Sequence, residues 1–261
     1  MLIVALSGEA QPATAELVWA VVAGASGVIG LAFFYYALAR GTMGVVAPLA
    51  ALIGAGVPVL VAMVGGESLS FGRMIGIALA LVGVVLISMP GAPASVAERR
   101  SLRIDLREIP FVVLAGLGFA GFFIFMDRAT ETGATWWPLA IVRVVGTFLM
   151  LIAFVAILAS RRAPTWRARM SEVLGVDRLR QSGRTWRGIA PVLVVTAFAD
   201  LGGNVFYVLA IRTDALSVAV VLSSLYPVIT TVLAALLLRE RLRMVQVGGV
   251  ILATVSVTLL R

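Results

Sequence analysis

The chain contains no cysteine and no histidine. Without cysteine there are no disulfides, no thiolate nucleophile and no thiolate metal ligand. Without histidine the commonest metal ligand, general base and proton-relay imidazole are all missing. Lysine is also absent, so every basic side chain is an arginine. The net charge is +8. In a soluble domain such a charge would suggest nucleic acid as a partner. Here the arginines fall in short gaps between apolar runs, which is the pattern of membrane loops and not of a nucleic-acid interface. No span holds paired carboxylates, and no phosphate-cradling loop is present. Gly202-Gly203 lies within an apolar helix and suits small-residue packing. Catalytic, metal and cofactor sites are therefore not expected, and the chain is not expected to be an enzyme.

What is present is apolar sequence in long runs. Apolar residues make up 61% of the chain and charged residues 13%, against roughly half apolar in a soluble domain. A membrane helix needs about 20 such residues. The runs predict eight complete spans, at 17–39, 43–65, 71–89, 110–126, 136–159, 188–211, 215–238 and 244–260. Gly24, Gly27 and Gly30 clear one side of the first for close helix contact. Phe119, Phe122, Phe123 and Phe125 crowd the fourth, either as packing or as an aromatic wall. Trp136 and Trp137 suit the headgroup level at the start of the fifth. Residues 90–109 read as a charged linker. In 160–187, Trp166, Met170, Val173 and Leu174 share a helical face, so the basic loop either lies on anionic headgroups or is solvated.

The stretch Leu222 to Glu240 organises the rest. Pro227 has no N–H, so the carbonyl of Ser223 loses its ordinary helical partner. A kink of this kind is tolerated in lipid only where protein or a water-filled path satisfies the backbone. Ser217, Ser224 and Thr231 recur at heptad spacing beside it. They line a transport path, or they are packing contacts between helices. The ending also has an earlier copy. Glu67-x-Leu69 with Gly76 and Ala80 matches Glu240-x-Leu242 with Gly249 and Ala253 at one common offset. Tyr36-Ala-Leu-Ala39 similarly matches Tyr207-Val-Leu-Ala210. The chain thus reads as two related halves, a common build for secondary transporters.

The segment SSLYPVITTVLAALLLRERL, with QVGGVILA after it, resembles the closing signature of EamA-type proteins in the drug/metabolite transporter superfamily. The likeness is strongest over 205–257 and collinear but weaker over 17–88. Many members carry glutamate before the proline, where this chain has Tyr226. The resemblance implies an all-α polytopic bundle of two five-helix repeats. Residues 1–89 would be the first repeat and 110–261 the second. The first repeat shows only three complete spans. Residues 1–7 are therefore expected to be the tail of a span whose start is missing; the alternative is an eight-span protein with a short lead.

The resemblance further implies export of a small organic solute across the plasma membrane of a bacterial cell. No ATP-binding motif is present, so an ion gradient would drive it. A scaffold or signalling membrane protein is the competing class.

Two ionisable residues lie well inside spans. Arg143 is about two turns into the fifth, where it either snorkels to the surface or faces the bundle interior. Asp200 sits near the middle of the sixth, with Thr196, Asn204 and Tyr207 on the same helical face. A charge at mid-bilayer costs about 2.5–3.5 kcal/mol on insertion scales. Low dielectric disfavours the charged carboxyl, so Asp200 is expected to face a central cavity and carry a proton or a cationic solute. The alternative is an ion pair with Arg143 that fixes two helices. Glu67 and Glu240 are expected at the start of the helices that follow them, where exposed N–H groups favour an anion.

Orientation carries a conflict. Eight spans put sixteen arginines on one side and four on the other. The positive-inside rule then leaves the C-terminus outside, whereas the resemblance implies both termini in the cytoplasm.

Overall fold

A computed structural model describes residues 4, 7–40, 43–88, 108–159, 186–213, 215–237 and 243–260. These residues form nine α-helices, and no strand occurs among them. They are α1 (Thr14–Leu38), α2 (Met43–Val64), α3 (Phe71–Ser88), α4 (Ile109–Ala129) and α5 (Trp136–Ala159). There follow α6 (Trp186–Thr213), α7 (Leu216–Ser224), α8 (Tyr226–Leu237) and α9 (Met244–Leu259). The linker, the basic loop, and the pair Glu240 and Leu242 lie outside the described residues.

The expected span limits hold to within a few residues. Among the described residues, seven helical stretches are long and apolar enough to cross a membrane. Helix α9 is apolar but has 16 residues. At about 1.5 Å per residue it reaches about 24 Å, short of a hydrocarbon core of about 30 Å. The seventh span is two helices. It is interrupted at Leu225, two residues before Pro227, where the Leu225 N–H donates to Leu222 O at 3.2 Å.

Lipid tails are as apolar as leucine, so helices in a bilayer are held by close packing and hydrogen bonds. Two seams show this. Helices α1 and α4 run antiparallel, and a Cβ on Gly118 would overlap the Cα of Gly30. Ser26 Oγ donates to Gly118 O beside that crossing at 3.0 Å. Helices α3 and α9 meet through Gly76, Ala80 and Gly83 on one side and Gly249, Ala253 and Ser256 on the other. A Cβ on Gly83 would stand 2.9 Å from Gly249 O. Gly76 and Gly249 lie on this one interface, but Gly76 packs on Leu259 and Leu260 while Gly249 packs on Gly83 and Ile87.

Helix α7 is the centre of the bundle. Residues 217–221 are all buried. Val218 and Val221 pack with α2, α3 and α9, while Ala219 and Val220 pack with α1, α2, α4 and α6. Helix α6 is the opposite case. Its first half is exposed, and burial begins only at Tyr207 and Val208.

Candidate functional site

The break after α7 opens onto a cavity of about 220 Å³ between α1, α2, α4 and α7. Rings form much of its wall: Phe34, Phe119, Phe122, Phe123 and Tyr226. A run of small residues on α2, from Ala47 to Ala55, gives it room, and Ser223 and Ser224 supply hydroxyls. Ser224 is 8% exposed and its Oγ donates to Val221 O at 2.7 Å.

A larger depression of about 490 Å³ lies along α5, lined by Arg143, Thr147, Phe148 and Leu201 among others. It is an open face on which Phe148 and Leu151 are more than half exposed. The smaller cavity is the better enclosed, and it lies where the helix break exposes backbone.

The charged residues take a separate place. Arg143 Nη2 lies 2.6 Å from Asp200 Oδ2, joining α5 to α6 inside both helices. Asp200 does not line the central cavity. Its carbonyl accepts from Asn204 Nδ2 at 2.8 Å, and Thr196 Oγ1 donates to Val192 O at 2.8 Å. Tyr207 is buried and donates from its hydroxyl to Phe123 O at 3.1 Å, with its ring edge-on to that of Phe123. Tyr207 therefore reaches the cavity wall from behind, while Thr196 and Asp200 face outward.

The serine–threonine seam is not brought together. Ser217 is fully buried, and its hydroxyl and N–H both meet the Glu67 carboxylate. Ser224 and Tyr226 line the cavity, but Thr231 does not. Thr231 is lost because of the break at Leu225, since heptad spacing keeps one face only along a continuous helix, whereas Ser217 sits two turns before Ser224 on α7 and is engaged by Glu67. Tyr36 lies at another end of the bundle. Its ring packs on Phe111 at 4.6 Å and under the Arg40 guanidinium, which approaches Glu108 at 3.9 Å.

Glu67 is also placed differently from its expected position. It does not cap α3, the helix that follows it. Gly66, at φ +95°, turns the chain back after α2, and the carboxylate reaches the N-terminus of α7. The favourable partner is still an exposed helix start, but one 150 residues away.

Two further carboxylates at this end had no signal in the sequence. Glu9 accepts from the backbone N–H groups of Thr135, Trp136 and Trp137 at 2.6, 2.8 and 3.0 Å, capping α5. Glu16, 5% exposed, accepts from Thr132 N–H at 2.7 Å and Thr132 Oγ1 at 2.8 Å. Arg212 Nη1 donates to Thr135 Oγ1 at 2.8 Å. One end of the bundle is thus laced by carboxylates and an arginine, with the cavity and the Arg143–Asp200 pair deeper inside.

Seven apolar helices of membrane-crossing length, packed through glycine contacts, define an integral membrane protein of the polytopic helical class. The chain belongs to the EamA-like transporter family, which matches residues 106–261. That match covers α4 to α9 and includes the helix break, and the class it indicates is a membrane transporter of small solutes. Comparison with curated proteins gave no match.

Proposed function

We propose that the chain is a secondary transporter that exports a small organic solute in exchange for protons. The solute path runs between α1 and α2 on one side and α4, α7 and α8 on the other. One observation carries the reading: Asp200 and Arg143 lie 2.6 Å apart within two spans. Each alone would cost about 2.5–3.5 kcal/mol at mid-bilayer. Together they offset part of that penalty, and the pair lasts only while Asp200 is ionised. A proton on Asp200 removes the attraction and leaves Arg143 to seek water or another anion. Helices α5 and α6 then lose their polar tie along a seam that is otherwise exposed.

In this scheme Asp200 carries the proton, Arg143 is its counter-charge, and Asn204 holds the Asp200 carbonyl on the same helix. Tyr207 links α6 to the cavity wall through Phe123. Movement of α6 is thereby transmitted to the solute site without the carboxylate touching the solute. A two-half build, with α3 and α9 packed closely where Gly83 meets Gly249, would allow alternating access by rocking of one half on the other. Tyr36 and Thr231 belong to the scaffold in this scheme.

The experiment is flux into protein-containing vesicles under an imposed pH gradient, using a panel of labelled neutral and cationic organic solutes. Asp200→Asn keeps shape and hydrogen bonding but cannot ionise. It is expected to retain downhill exchange of solute and to lose gradient-driven accumulation to the level of protein-free vesicles. Undiminished gradient-driven transport by folded Asp200→Asn protein would overturn the coupling role. Absence of flux for every solute with the wild-type protein would favour a scaffold.

A further inference from the structure

The central cavity constrains what the path can hold, given the transport reading above, on which this inference rests. Three properties act together. The first is size. At about 220 Å³, the cavity is smaller than the roughly 300–1,000 Å³ of sites for drug-sized ligands. It is larger than the roughly 150 Å³ apolar cavity that takes up benzene. One ring with substituents, or two fused rings, fills it.

The second property is charge. No charged side chain is among the described residues lining the cavity. A cation would have to shed water there without a counter-ion, at several kcal/mol. A ring face returns about 2 kcal/mol or more to a desolvated cation, which offsets that cost only in part, so a neutral solute is favoured. Phe34, Phe119, Phe122, Phe123 and Tyr226 instead offer edges and faces to another aromatic ring, a contact worth about 0.5–1.5 kcal/mol beyond burial alone.

The third property is hydrogen-bond polarity. The Ser224 hydroxyl spends its proton on Val221 O, so toward a ligand its oxygen can only accept. Ser223 also lines the cavity, and its hydroxyl oxygen can accept as well as donate. The helix break therefore offers two hydroxyl oxygens able to accept a hydrogen bond. We propose that this cavity binds a neutral one- or two-ring aromatic solute bearing an N–H or O–H donor.

The test is equilibrium binding to the purified full chain in lipid nanodiscs, with binding to empty nanodiscs subtracted. The probes are indole and benzofuran, which share a two-ring frame and differ in the N–H donor. Indole is expected to bind about tenfold more tightly, the scale of one buried acceptor left unpaired. Ser224→Ala is expected to shrink that preference to about threefold, because the Ser223 hydroxyl remains. Equal binding of the two probes, no saturable binding of indole, or tighter binding of phenyltrimethylammonium would overturn the proposal. The wild-type comparison alone decides this, so a misfolded variant does not rescue it. Binding and flux fail separately. Indole that binds but is not moved contradicts the transport reading alone. Flux of other solutes without indole binding contradicts this inference alone.

Discussion

The α1–α4 seam and the α5–α6 seam are built from opposite materials. Along the first, Trp19 stacks on Phe125, Gly30 lies on Gly118, and Phe34 meets Phe119 edge-on, with no charge in the row. Along the second, the polar tie is the Arg143–Asp200 pair, and neighbours such as Phe148 and Phe198 are 61% and 71% exposed. Dispersion contacts at closest approach are indifferent to pH and tolerate no displacement. A charge pair can be undone by a single proton. The contrast separates a frame held by close packing from an edge held by charge, and the proposed proton coupling would act at that loosely packed edge.

The comparison can be broken at its rigid side first. Gly118→Leu inserts a side chain where even a Cβ has no space. Overpacking of this kind is expected to cost about 3 kcal/mol. Thermal unfolding in detergent, with size-exclusion profiles, reads the loss. A fully stable Gly118→Leu protein would mean that α1 and α4 do not cross at Gly30.

The laced end should give an intermediate effect. Glu67→Ala removes an anion from the start of α7 and a hydrogen-bond partner from buried Ser217. The expected loss is about 2 kcal/mol. Glu67→Gln keeps a hydrogen-bond acceptor and should lose less than half as much, measured by the same unfolding. Equal losses for the two variants would assign the effect to charge alone.

The smallest stability effect belongs to the loosely packed edge. Arg143 and Asp200 are about half exposed, and a carboxyl left without its partner can take up a proton and so avoid most of the cost of a lone charge. Arg143→Gln is expected to shift the melting temperature by under about 3 °C. A loss as large as that of Gly118→Leu would make this seam part of the frame.

The extent of each helix was legible because a bilayer demands a long apolar run, and such runs announce themselves. The interruption near Pro227 was legible for a similar reason, since a missing N–H is a local property of one residue. Placement of side chains between helices was less so. Thr231 shares a heptad with Ser224 in sequence, but the break at Leu225 separates them in space, and Ser217, on the same helix as Ser224, is taken up by Glu67. Asp200 and Arg143 could be named as a pair, because two charges in lipid have few alternatives to each other. Glu9 and Glu16 gave no signal. Their partners lie 126 and 116 residues away at helix ends, and a loop glutamate looks alike whether or not it caps a helix. Glu67 was noticed for its repeat position, yet which helix start it would reach depended on the turn at Gly66.

The central claim is that ionisation of Asp200 holds α5 and α6 together, and a distance between those helices tests it most directly. The chain has no cysteine, so Thr147→Cys and Thr196→Cys give two unique sites for spin labels on exposed faces of α5 and α6. Pulsed electron resonance in nanodiscs should show one narrow distance distribution at alkaline pH and a longer, broader one after acidification. Adding Asp200→Asn should give the longer distribution at every pH. A distribution that stays narrow and unchanged on acidification, and that Asp200→Asn leaves in place, would contradict the account.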